Sequence, residues 1–280
     1  MDEHFRAFSF VDRITAVEDA VRIHGRYHIP EGLDSFSPSL VAESAGQLAA
    51  WAAMAETRFQ RRPVAGIAAR INLLGTVQPG QVLDLFAELQ SVDEDAVAYG
   101  GHASVDGNRV IELENCVGPM VPVSDFDDPA ALQKRFLLLC GPGAVAGAFV
   151  GVPQFALERT NGQPGKHASA ELKVPISAPL FGDHFPRRPV FPGTLLVHMN
   201  LQLAAVLASE LPAPHAGERW QIEALADLKL RSFVAPGDVL NLEAKVINCT
   251  DSLATLSVES RKGNRLVGGA HVLLAPRKQP

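Results

Sequence analysis

The chain has 280 residues, 47% of them hydrophobic and 20% charged, with a net charge of −6. That length supports a sizeable core and is enough for two modules. The acidic balance leaves no broad basic surface and argues against a nucleic-acid partner. Cys116, Cys140 and Cys249 are widely spaced and odd in number, a pattern of neither a disulfide framework nor a zinc site, so no metal is expected and a reducing compartment is favoured. The opening Met1-Asp2-Glu3-His4 lacks the basic and apolar regions of a signal peptide, which makes the cytoplasm the expected location.

In chain order, Phe10 to Val17 and Val21 to Ile29 read as strands. Ser37 can cap a helix with Pro38 at its first position, and the Ala/Leu-rich run continues to about Arg61. Strands follow over Ile67 to Leu74, Val82 to Val92 and Ala96 to Val105, with a Gly107-Asn108 turn into Val110 to Val117. Phe136 to Leu157 carries no charge and has the length of a membrane span. Its Gly141-Pro142-Gly143, Gly147, Gly151 and Pro153 punctuate it, and it reads as a short helix over Leu132 to Leu139 followed by a linker, with no membrane partner. A helix from Gly193 to Glu210 comes next, then strands near Ile222 to Phe233, Leu240 to Asn248, Leu253 to Arg261 and Leu266 to Leu274. The class is α+β.

The order of elements repeats because the sequence does. Phe36-Ser37-Pro38 through Ala50 aligns with Phe191-Pro192-Gly193 through Ala205 at an offset of 155, placing Glu43 opposite His198 and Gln47 opposite Gln202. Val77-Gln78-Pro79-Gly80 matches Val234-Ala235-Pro236-Gly237 at 157, and Gly107-Asn108-Arg109 matches Gly263-Asn264-Arg265 at 156. Asp12-Arg13-Ile14 pairs best with Glu158-Arg159-Thr160 at only 146. Repeat 2 therefore holds nine extra residues (155 − 146) between its opening strand and its helix. The expected division is 1–124 for repeat 1, 125–152 for the linker and 153–280 for repeat 2.

Those extra residues contain the most chemically suggestive segment, Gly182-Asp183-His184-Phe185-Pro186-Arg187-Arg188-Pro189-Val190-Phe191-Pro192-Gly193-Thr194-Leu195. Three prolines stiffen a loop around one histidine. Gly193 can then offer a bare N–H to a ligand at the positive end of the helix that starts there. A base beside an anion-stabilising amide is what proton abstraction next to a carbonyl needs.

The pattern His-Phe-Pro-x-x-Pro-x-x-Pro-Gly-x-Leu resembles the active-site loop of the β-hydroxyacyl-ACP dehydratases (FabA/FabZ-type), which have the hot-dog fold. The resemblance implies a tandem double hot-dog, with two long central helices each wrapped by antiparallel sheet. In that family a Glu or Asp follows the histidine by fourteen residues; here that position is His198. The family builds each site between two hot-dog units, so His184 of repeat 2 and Glu43 of repeat 1 are expected to complete one site. The opposite site would hold His198 and His28 and looks degenerate.

Implied with these catalytic residues is a substrate-binding set of Gly193, Gln47, Val190, Pro192, Arg187 and Arg188. Gln47, one turn from Glu43, either orients the acid or fills space. Arg187 and Arg188, with Lys229 and Arg231, either greet an acidic acyl carrier protein or are solvated loop charges. The implied reaction is dehydration of a (3R)-3-hydroxyacyl thioester of a carrier protein or CoA, in fatty acid or polyketide-type synthesis. No cofactor is called for, since the phosphopantetheine arm travels with the substrate. One chain would supply a whole double hot-dog, alone or as a homodimer of it. A hot-dog thioesterase and a catalytically silent scaffold subunit are the rival readings.

Overall fold

Period-two alternation accounts for the larger part of the architecture. In β5 (Val82–Val92), Leu83, Leu85, Ala87 and Leu89 are buried while Asp84 and Glu88 face outward, the signature of a sheet with one face on a core. The computed structural model describes residues 6–278 except Ala20, so the Met1-to-His4 segment lies outside the described residues. Repeat 1 comprises β1 (Arg13–Glu18), β2 (Arg22–His28), α1 (Pro38–Glu56), β3 (Arg61–Pro63), β4 (Ile67–Leu73), β5, β6 (Ala96–Val105) and β7 (Asn108–Pro122). After α2 (Pro129–Cys140) come β8 (Leu157–Gln163), β9 (His167–Lys173), α3 (Leu180–His184), α4 (Gly193–Ser209), β10 (Glu218–Leu230), β11 (Val239–Cys249), β12 (Ala254–Lys262) and β13 (Arg265–Lys278).

The strands form one antiparallel sheet in the order β1-β2-β5-β6-β7-β4-β10-β13-β12-β11-β9-β8, with β3 on β7. Read inward from either end, the two halves match strand for strand, which is the duplication in three dimensions. They join where β4 pairs with its counterpart β10, Ile71 opposite Leu225. The turns match as well. Gly80 and Gly237 have φ of 86° and 82°, and Asp106-Gly107 make a two-residue turn at φ 50° and 78°, the primed geometry that suits strand twist.

α1 and α4 are apolar nearly all round, as helices buried between layers must be. Leu48 of α1 and Leu195, Ala204 and Leu207 of α4 have no measurable exposure, each leucine contributing about 1.5–3 kcal/mol of burial. Both helices lie on their own half of the sheet and touch each other. Asn200 of α4 donates to Ser260 Oγ of β12 at 2.8 Å, a buried pair that fixes helix against sheet.

Three sequence expectations are corrected, and the opening strand of repeat 2 is joined by a second. The first helix ends at Glu56, not Arg61, because Arg58 and Phe59 turn left-handed at φ 50° and 58°. Phe59 N–H bonds Met54 O at 2.7 Å, and its ring packs on Phe136, burial that offsets the strain. Ser37 makes no side-chain cap bond, leaving Pro38 as the start signal. The opening strands of repeat 2 are β8 and β9; β8, with Glu158, Arg159 and Asn161 exposed on an edge, carries no apolar alternation to betray it. The His184 segment is also not all loop, since His184 ends the one-turn helix α3.

Between β2 and α1 the chain uses residues 29–37; between β9 and α4 it uses 174–192, so the insertion lies where the shorter front offset puts it. The uncharged run after β7 packs back on repeat 1: Phe136 meets Trp51, and Phe149 meets Phe10 and Phe36. No helix among the described residues is long and apolar enough to cross a membrane.

Candidate active site

The chain on either side of His184 fixes its ring. Nδ1 lies 3.3 Å from Val190 O; only a protonated Nδ1 can bond a carbonyl, which leaves the Nε2 lone pair free to accept. The ring meets Phe8 edge-on at 5.3 Å and Phe185 at 4.0 Å between centroids. Asp183 accepts from Ala7 N (3.2 Å), Phe8 N (2.9 Å) and Ser9 Oγ (3.1 Å), tying the first segment of repeat 1 to α3 of repeat 2. Burial, reinforced by the positive charge of Arg62, pushes the His184 imidazole down to about 3. It is therefore neutral at physiological pH.

Glu43 stands on α1 with both carboxyl oxygens engaged. Oε1 accepts from Gln47 Nε2 at 2.8 Å and Oε2 from Thr194 Oγ1 at 2.8 Å. Gln47 is itself held, its Oε1 accepting from Phe10 N and its Nε2 donating also to Phe8 O, so it fixes the position of the Glu43 carboxyl group. Burial raises the Glu43 pKa, outweighing the bonds from Gln47 and Thr194 and the charge of Arg62 that act the other way.

Glu43, Gln47, His184, Val190, Gly193 and Thr194 line one cavity of about 650 Å³ between the repeats. Gly193 is the first residue of α4, so its N–H has no carbonyl within the helix to meet and sits at the positive end of the dipole. A Cβ here would collide with Leu230 Cδ1; the glycine lets β10 approach the helix start.

The loop arginines divide. Arg188 lines the cavity and spreads over the Phe126 and Phe233 rings at 5.3 and 5.5 Å, and Arg231 lines it as well. Arg187 does not. Its guanidinium bonds Asp128 Oδ2 and Ser124 O, and its N–H bonds Phe126 O, so it clasps the His184 segment to the linker instead of binding in the cavity. Pro192 is buried below the wall, where its carbonyl accepts from Leu195 and Leu196 N–H. Lys229 is likewise outside the lining.

His198 lies 3.1 Å from Gln202 Nε2, and His28 bonds Asp12 through both its N–H and Nδ1 at 2.6 and 2.9 Å. Neither lines this cavity.

Thr194, Asp183 and Arg62 were missed in the sequence. Thr194 had a signal, being the residue after Gly193 in the motif. Arg62 had none: it sits on a three-residue strand directly after what reads as the end of a helix.

The ApeI-like family model, ApeI dehydratase, matches residues 160–270. The chain is 31% identical over 102 residues to the 3-hydroxyacyl-(acyl-carrier-protein) dehydratase FabZ of Lactiplantibacillus plantarum, covering 36% of this chain and 69% of that one. A crystal structure described as an oleoyl thioesterase from Lactobacillus plantarum superposes with a TM-score of 0.59 at 9% identity, over 95% of this chain and 99% of the other. A MaoC-like dehydratase gives 0.54 at 13%, over 88% and 85%. At those identities the two structures show a shared hot-dog-like fold and nothing finer. The likeness to FabZ carries more: this chain belongs to the β-hydroxyacyl-ACP dehydratase family.

Proposed function

We propose that this protein dehydrates a (3R)-3-hydroxyacyl thioester to the trans-2-enoyl thioester at a single site shared by its two repeats. The observation that carries the reading is the convergence on one cavity of His184 from repeat 2, Glu43 from repeat 1 and the Gly193 N–H. In this reading the chain is a tandem double hot-dog, with units 1–124 and 153–280 joined by a linker, 125–152, that acts as a clasp.

His184 Nε2 takes the proton from C2 of the substrate. The electron pair moves onto the thioester oxygen, which the Gly193 N–H steadies, a contribution often worth about 3 kcal/mol. The pair then returns to form the C2=C3 bond as the C3–O bond breaks, and Glu43 gives its proton to the departing hydroxyl, releasing water. The imidazolium and carboxylate that remain cancel in charge, and passage of the proton between them restores both groups. The depressed pKa of His184 keeps the base neutral, and the upward shift of Glu43 favours the protonated acid that the forward reaction starts from.

No resident cofactor enters this scheme, because the phosphopantetheine arm arrives with the substrate. Arg188 and Arg231 at the cavity suit an acidic acyl carrier protein as the donor, and the cytoplasm is the proposed location. The test is to incubate the purified protein alone with a 3-hydroxyacyl thioester and follow enoyl product and free thiol together. Enoyl product supports the reading. Free thiol without it makes the protein a thioesterase, and neither product makes it a silent partner subunit.

A further inference from the structure

Gly46 stands in the middle of α1, a position where the missing side chain costs a helix stability. At Gly25, Gly101 and Gly118 the packing explains the glycine, because an added Cβ would meet a neighbour closer than 3.0 Å. Gly46 has no such cause. Its backbone is ordinary helix, and a Cβ built there meets only the Tyr99 hydroxyl oxygen, at a normal contact distance of 3.5 Å. The space left open beside it belongs to the cavity.

That space continues past the reacting groups. Glu43, Gly46, Ala50 and Met54 follow one another at spacings of three and four on one face of α1, and all four line the same cavity. At 1.5 Å per residue, the stretch from the acid to Met54 covers about 16 Å of helix. The facing wall is sheet, with Ile71 from β4 and Leu113 and Cys116 from β7. Residues three apart on a strand ordinarily face opposite sides. Here a bulge with Asn115 at φ 49° turns both Leu113 and Cys116 inward.

The other repeat fills the matching place. Leu201 of α4 stands at the position of Gly46, at the offset of 155; it is buried and lines no part of the cavity. Room is therefore kept beside one of two otherwise equivalent helices, and Ala50, Met54, Ile71 and Leu113 offer apolar contact to an alkyl chain lying in it.

We propose that Gly46 is a specificity-determining residue. By leaving its side-chain position open it lets the acyl chain run along α1 beyond the reacting carbons, so that the cavity takes long-chain acyl thioesters in preference to short ones. The proposal deepens the dehydratase reading and rests on it only in taking the occupant to be an acyl thioester.

The test is a ladder of saturated acyl pantetheines, lengthened two carbons at a time and lacking the 3-hydroxyl so that none can react. Calorimetric titration of the wild-type protein should show affinity rising with length by up to about fourfold per methylene, the factor that follows from burying one. Gly46→Leu, which installs the residue of the other repeat, should end that rise at a shorter length. Gly46→Ala should raise the melting temperature, since alanine suits a helix interior better, and should weaken long chains more than short ones. Wild-type affinity that does not grow with length overturns the proposal, as does a Gly46→Leu ladder that matches the wild type. A lower melting temperature in Gly46→Ala also overturns it, because the glycine would then serve packing. Should Gly46→Leu fail to fold, the wild-type and Gly46→Ala ladders still decide. Because nothing reacts, these results are separate from the enoyl assay, whose failure would remove the dehydratase reading alone.

Discussion

Thr194 Oγ1 donates to Glu43 Oε2 at 2.8 Å, joining residues 151 positions apart and linking the start of one repeat's helix to the acid of the other. The residue that places the acid is therefore the neighbour of the amide proposed to hold the thioester oxygen. Geometry at one group is passed to the other through a single bond.

The first prediction follows from that bond. Glu43→Gln keeps the shape and the contact with Thr194 but has no proton to give, and should cut kcat by about 10²–10⁴-fold with an unchanged circular dichroism spectrum. Thr194→Val leaves the acid proton in place and frees its orientation, so a smaller loss of about tenfold is expected. His198→Ala, altering a group that faces Gln202 outside the cavity, should cost little. A collapse of turnover in His198→Ala with full activity in Glu43→Gln would move the site to the other half of the interface.

A second prediction concerns pH. His184 has a folded-state pKa of about 3 against an ordinary 6.5, so between those values the unfolded chain binds the proton and the folded one does not. Stability attributable to His184 is full above about pH 6.5 and falls as pH drops toward 3. Glu43 is shifted upward and works in the opposite sense, its contribution being full below its unfolded value and lost as pH rises. His184→Asn should flatten part of the acid loss seen in urea midpoints; the rest belongs to other depressed groups, His198 and His102 among them. For turnover, the His184 base stays unprotonated from neutrality down toward pH 5, so it should add no acid limb in that range, and loss of rate as pH rises should follow ionisation of Glu43, whose pKa is shifted upward. An acid limb centred near 6.5 would contradict the burial of His184.

Gly193 supplies the third. An added methyl meets Leu230 Cδ1 on the strand packed beside the helix start, and crowding of that kind costs about 1–3 kcal/mol. Gly193→Ala should lower the melting temperature and reduce kcat by displacing the amide. Adding Leu230→Ala should recover stability relative to the crowded single variant in a double-mutant cycle. Additive losses would mean that the two side chains do not meet.

Much of this was open to inspection in the sequence, for reasons that differ by element. β5 and β6 were placed to the residue because alternation and flanking turns are local signals, and α4 was placed to within one residue at its end. The end of α1 was not, because Arg58 and Phe59 adopt left-handed backbone only where Phe136, from the linker, covers the Phe59 ring. The positions that share the cavity were legible through the proline-rich motif and the internal duplication: the motif gave His184 and Gly193, and the repeat offset gave Glu43. Arg62, Asp183 and the clasp made by Arg187 were not, since each is defined by a partner 59 or more residues away. Such relations exist only after the halves have packed.

The last prediction separates the two loop arginines. Arg188 faces the cavity without a carboxylate partner in bonding range among its described contacts, resting on Phe126 and Phe233, whereas Arg187 is spent on Asp128 at 3.0 Å. If the acyl donor is an acidic carrier protein, reversing the charge at Arg188 should weaken encounter, raising KM for the carrier-bound substrate by about tenfold while leaving kcat and the small pantetheine substrate nearly untouched. Salt should mimic the substitution in the wild type and have a reduced effect on Arg188→Glu, because attraction between exposed charges is screened over about 10 Å at 0.1 M. Arg187→Ala should act differently. An exposed ion pair contributes at most about 1 kcal/mol, so the melting temperature should barely move, but the His184 segment loses its hold on the linker and kcat should fall for both substrates alike. Equal effects of Arg188→Glu on carrier-bound and free substrates would assign that arginine to the pocket rather than to the carrier.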